Sequence, residues 1–122
     1  MPVTYQFDSN IVVIDMVGEY SMDEIRTTIL NSLADSTCPA NPFILMNLCE
    51  ARSIYNRSPQ DVITMARSLA SLSNRFNNRI ALVASKDLPY GLMRMGSIFS
   101  EETGFAPKVF RTFAEARKWL LS

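Results

Sequence analysis

The sequence predicts an α/β fold: a single domain with a mixed, mostly parallel five-stranded sheet and four helices in β-β-α-β-α-β-α-β-α order. Three observations lead there. Short, nearly continuous apolar runs, IVVIDMV at 11–17, FILMNLC at 43–49 and RIALVA at 79–84, have the composition of strands covered on both faces. Each run is followed by a segment whose apolar residues recur at helical spacing. The chain has 122 residues, 48% of them apolar, which is one domain's length with enough apolar surface for a packed core.

Val3–Phe7 and Ile11–Val17 are β-rich and are separated by Asp8-Ser9-Asn10, a hairpin signal. Asp15 is the one charge in the second run. After Gly18-Glu19, Ser21 and Glu24 stand at capping-box spacing, with Tyr20 and Ile25 at the staple positions around them. Met22, Ile25, Ile29 and Leu33 then form one apolar stripe. DSTCPANP at 35–42 is a loop, and Phe43–Cys49 is the next strand, with Asn47 its one polar member.

Ser58-Pro59-Gln60-Asp61 opens a second helix, with Ser58 at the N-cap and Pro59 at N1. Val62, Met65, Leu69 and Leu72 supply its buried stripe. Arg79–Ala84 follows as a strand. The helix expected over Leu88–Thr103 carries Leu88, Leu92, Met95 and Phe99 on one face and ends at Gly104. Lys108–Phe110 is a minimal last strand. Thr112 with Glu115 repeats the capping-box spacing at the start of a final helix that ends at Trp119 and Leu120.

Twelve basic and twelve acidic side chains cancel, so no basic excess points to nucleic acid, although a two-faced charge distribution is compatible with a zero sum. No apolar run approaches the roughly 20 residues of a membrane span. The N-terminal residues lack the charged and apolar regions of a secretion signal. With two cysteines, Cys38 and Cys49, reduced thiols and a cytoplasmic location are the expectation.

Histidine is absent, which removes the commonest general base and metal ligand together. The two cysteines lack metal-site spacing, and no catalytic residue, metal or cofactor is expected. Gly91 and Gly96 share the glycine spacing of a phosphate loop, but Ser97 follows directly and no lysine precedes it. The non-enzymatic reading is preferred. The polar residues that follow the strands are expected to share the sheet edge where ligands of open α/β folds bind. Glu50, Arg52, Tyr55, Lys86, Asp87, Tyr90, Met93 and Arg94 are the candidate ligand or partner surface. Tyr90 and Arg94 form an i, i+4 pair, and Met93 lies off the apolar face of its helix.

The opening hairpin, the GEYSMDEI start of the first helix, the run RIALVASKDLPYGLMRM and the ending KVFRTFAEARKWLL resemble the SpoIIAA-like family of STAS-domain proteins over essentially the whole chain. The resemblance implies a single SpoIIAA-like domain over 1–122 and a non-enzymatic regulatory or binding role. It implies a protein partner or a small apolar, lipid-like ligand, and often a homodimer. Antagonists of this family are phosphorylated on a serine at the helix after the third strand. Ser58 stands at that place as the alternative functional site, within Asn56-Arg57-Ser58-Pro59, which lacks the family's acidic residue and glycine.

Overall fold

The computed structural model describes residues 3–51, 60, 64, 67, 79–86, 90–91 and 108–122. The five expected strands are β1 (Val3–Asp8), β2 (Ile11–Gly18), β3 (Phe43–Ala51), β4 (Ile80–Val83) and β5 (Lys108–Phe110). They form one sheet in the order β1-β2-β3-β4-β5. β1 is antiparallel to β2, and all other neighbours are parallel. Among the described residues two helices are complete, α1 (Met22–Ala34) and α2 (Phe113–Leu120). Gln60, Thr64, Arg67, Tyr90 and Gly91 are helical as well, while the rest of the two other expected helices lies outside the described residues.

Side-chain alternation divides the sheet into two buried faces. On the first, Val12, Ile14, Met16, Ile44, Met46, Ile80 and Leu82 meet Tyr20, Ile25 and Ile29 at and within α1. On the second, Ile11, Val13, Leu45, Ala81 and Val83 meet Ala116 and Leu120 of α2. The continuous apolar runs of β2 to β4 are therefore the direct consequence of burial on both sides. Ile29 and Leu120 anchor their helices, at 1% and 0% exposure, and burial of each side chain is worth roughly 1.5–3 kcal/mol.

Local chemistry sets the ends. β1 and β2 are joined across Ser9-Asn10, with Asp8 paired to Ile11. Ser9 takes φ 54°, the positive value that the tight hairpin turns require at their first central residue. Gly18 ends β2 at φ 70°, and a β-carbon there would meet nothing within 4 Å, so backbone conformation alone selects glycine. The expected box on α1 is complete: Ser21 Oγ accepts the Glu24 N–H at 3.1 Å and the Glu24 carboxylate accepts the Ser21 N–H at 3.3 Å. On α2, Thr112 Oγ1 accepts the Glu115 N–H at 3.2 Å, and the Glu115 carboxylate binds the Thr112 hydroxyl at 3.0 Å.

β3 runs two residues past Cys49, the strand end expected from the sequence. Asp15 pairs with Asn47, but Val17 pairs with Glu50, so β3 carries one extra residue at that point. The Asn47 side chain supports this bulge: its Oδ1 accepts the Cys49 N–H at 3.1 Å. With that donor satisfied locally, the ladder resumes and carries the strand to Ala51.

Candidate functional site at the strand ends

The carboxyl ends of the parallel strands lie along one edge, and the loops leaving them form a rim. From β2 to β5 the rim runs through Glu19, Glu50, Lys86 and Arg111, all exposed. Its order of charge is thus acid, acid, base, base. Glu50 lies three residues beyond Asn47, the last β3 residue paired with β4.

The best-defined part is built by β4 and β5. The Ala84 N–H donates to the Phe110 carbonyl at 2.9 Å, continuing the pairing past the end of β4. Arg111 follows at once, and its Nη1 donates to the Ser85 carbonyl at 3.2 Å. The guanidinium lies 3.9 Å from the centroid of the Tyr90 ring, a close cation–π contact. Tyr90, itself helical, in turn donates its N–H to the Lys86 carbonyl at 3.0 Å. One arginine therefore ties together the strand end, the loop and the helical Tyr90.

Of the sequence-predicted surface, Lys86 and Tyr90 stand next to each other here, and Glu50 stands on the same rim toward β2. Arg52, Tyr55, Asp87, Met93, Arg94 and the candidate phosphosite Ser58 lie outside the described residues. Arg111 is the central residue that the candidate set omitted. Its signal was its place directly after the last strand, which puts it on the rim by topology alone.

Away from the rim, three polar groups fasten the sheet and α2. Asp35, after α1, accepts the Thr37 N–H at 2.9 Å, the Thr37 hydroxyl at 2.7 Å and the Tyr5 hydroxyl at 2.8 Å. These bonds, the Thr37 N–H foremost, hold the Asp35 carboxyl below its ordinary range, while donation to Asp35 pushes the Tyr5 hydroxyl up. At the hairpin, Arg117 of α2 grips Asp8 through Nε at 2.8 Å and Nη2 at 3.3 Å, and that bond raises the guanidinium further. Arg79 caps the same, C-terminal end of α2, donating to the carbonyls of Trp119 and Ser122 at 3.1 and 3.2 Å.

Among the described residues, no three His, Cys, Asp or Glu side chains converge as metal ligands would. No helix of the described residues is long and apolar enough to cross a membrane. No protein-family model matches the chain, and no curated protein matches it. The class established by the fold is a single α/β domain with a mixed five-stranded sheet and helices on both faces.

Proposed function

We propose that the chain is a non-enzymatic regulatory or binding module of the SpoIIAA-like STAS type, acting as a cytoplasmic homodimer on a protein partner. In this reading residues 58–73 and 88–103 supply the two further helices of the β-β-α-β-α-β-α-β-α order. The observation that carries it is the Tyr90–Arg111 stack, held by the Ser85 carbonyl on the strand-end rim. A fixed aromatic ring and guanidinium at an exposed edge are the residue types that dominate binding hot spots. The rim's split between Glu19 and Glu50 on one side and Lys86 and Arg111 on the other suits recognition of a partner with the opposite arrangement.

A small apolar ligand is the competing occupant, and the phospho-switch at Ser58 rests on the sequence alone. Native mass spectrometry of protein purified from its own cells separates these. A protein partner retained by the wild type and lost with Tyr90→Ala or Arg111→Glu supports the reading. A small molecule of fixed mass in every preparation supports the lipid-type ligand instead. Phosphate mapped to Ser58 would support the switch.

A further inference from the structure

The two edges of the sheet are built differently. β5 is three residues long and starts with the exposed Lys108, and both features keep a strand edge from pairing. β1 is six residues long, its register with β2 is unbroken from Val3 to Asp8, and it holds no lysine, arginine or proline. It is the last strand on its side of the sheet.

The hydrogen-bonding sense of that edge follows from one contact. The Asn10 carbonyl accepts the Phe43 N–H of β3 at 2.9 Å. Val12 and Ile14 therefore also turn their backbone groups toward β3, while Ile11, Val13 and Asp15 turn theirs toward β1. Their partners Asp8, Gln6 and Thr4 are thereby satisfied. Val3, Tyr5 and Phe7 point their N–H and C=O groups outward, and among the described residues nothing receives them. Their side chains lie on the α1 face, where the Tyr5 and Phe7 rings stand 5.6 Å apart and are only half-buried. Thr4 and Gln6, on the other face, are exposed.

The charge beside this edge is of one sign. Residues 3–51 hold seven carboxylates and one cation, Arg26. Arg117 neutralises Asp8 at the end of β1. Asp35, bonded to the Tyr5 hydroxyl, and Asp15, bonded to the Gln6 amide, accept only from uncharged donors among the described residues, so no described cation offsets either. We infer that β1 takes up an extended, basic segment of another protein as a sixth strand. Main-chain bonds to Val3, Tyr5 and Phe7 supply the affinity. Apolar side chains at alternate positions of the segment cover the two rings, and lysines or arginines between them stand on the Thr4 and Gln6 side. A second copy of this chain does not match that edge: two β1 strands would set one acidic flank against another, with no cation in either strand. The inference reaches beyond the strand-end rim and uses none of its residues.

Amide hydrogen exchange of the full chain, read residue by residue by NMR, tests it with a short peptide of alternating lysine and valine as the probe. With millimolar peptide at low salt, the Tyr5 and Phe7 amides are expected to exchange at least tenfold more slowly. Those of Thr4 and Gln6, already bonded to β2, are expected to change little. The same peptide with glutamate in place of lysine, and one N-methylated at every residue, are expected to give no protection. Thr4→Lys, at an exposed position, is expected to weaken binding of the lysine peptide severalfold. Unchanged exchange at Tyr5 and Phe7 overturns the inference, as does equal protection of all four amides or protection by the glutamate or N-methylated peptide. Protection that arises without peptide as the protein is concentrated would assign the edge to a second copy and overturns it equally. Tyr90→Ala and Arg111→Glu are expected to leave these results unchanged, so the rim reading stands or falls separately.

Discussion

Asn47 donates its amide to Asp15 Oδ1 at 3.2 Å across the β2–β3 ladder, while its own Oδ1 accepts the Cys49 N–H at 3.1 Å. Gln6, from β1, donates to the other Asp15 oxygen at 3.1 Å. Three strands are thereby linked at the place where the register shifts.

Replacing Asn47 breaks both halves of this device. Asn47→Leu leaves a backbone donor and a carboxylate oxygen without their partner, at a cost of about 1–3 kcal/mol. Asn47→Asp retains an acceptor for the Cys49 N–H but sets a like charge against Asp15, and it is expected to destabilise by a similar amount. Urea unfolding measures both. A midpoint unchanged in either variant would mean that the bulge holds without the side chain.

Leu120 tests how far the second face depends on α2. It is fully buried among Ile11, Leu45 and Ala81. Leu120→Ala is expected to cost about 2–5 kcal/mol, whereas Phe113→Ala, at a position 36% exposed, is expected to cost about 0.5 kcal/mol or less. Equal losses in a denaturant titration would contradict the packing of α2 described here.

Much of this fold was legible in the sequence because its strongest signals are local. The apolar runs located β2, β3 and β4, the β-rich Val3–Phe7 and the short Lys108–Phe110 located the other two strands, and Ser21 with Glu24 located the start of α1. The β3 end was not legible, because a bulge is a relation between two strands and Asn47 appeared only as a polar exception in an apolar run. Asp15 was visible in the same way, as a charge in a strand, without its partners Gln6 and Asn47. At the rim, strand-end logic placed Lys86, Tyr90 and Glu50 at the carboxyl edge of the sheet, where the structure has them. The stacking of Arg111 on Tyr90 joins residues 21 positions apart in the chain, and no periodicity links them.

The two helix caps offer a graded test. Ser21 has a reciprocal pair of bonds with Glu24, so Ser21→Ala is expected to cost about 1 kcal/mol, and Ser21→Gly only a few tenths. Hydrogen exchange of the first α1 amides should rise in the alanine variant before that of the strands. Unchanged exchange at Glu24 would show that the cap does not hold that turn.

Tyr5 and Asp35 give the fold a bounded dependence on pH. Bonds from the Thr37 N–H, then from the Thr37 and Tyr5 hydroxyls, lower the Asp35 pKa from its ordinary 3.8. Asp35 therefore contributes stability that is complete above that value and is lost as pH falls through its lower native one. The Tyr5 pKa is raised from 10.0, chiefly by the hydrogen bond to Asp35. Its contribution is complete below 10.0 and is lost as pH rises through the higher native value. The bond between them has its full, charge-assisted strength only where Asp35 is ionised and Tyr5 is not. Tyr5→Phe should accordingly lower Tm by a constant few degrees from roughly pH 5 to 9. The difference from wild type should shrink toward zero in acid below the Asp35 transition and in base above that of Tyr5. A difference that stays constant through both limits would assign the effect to packing of the ring against Phe7, its aromatic neighbour at 5.6 Å, instead of to the hydroxyl.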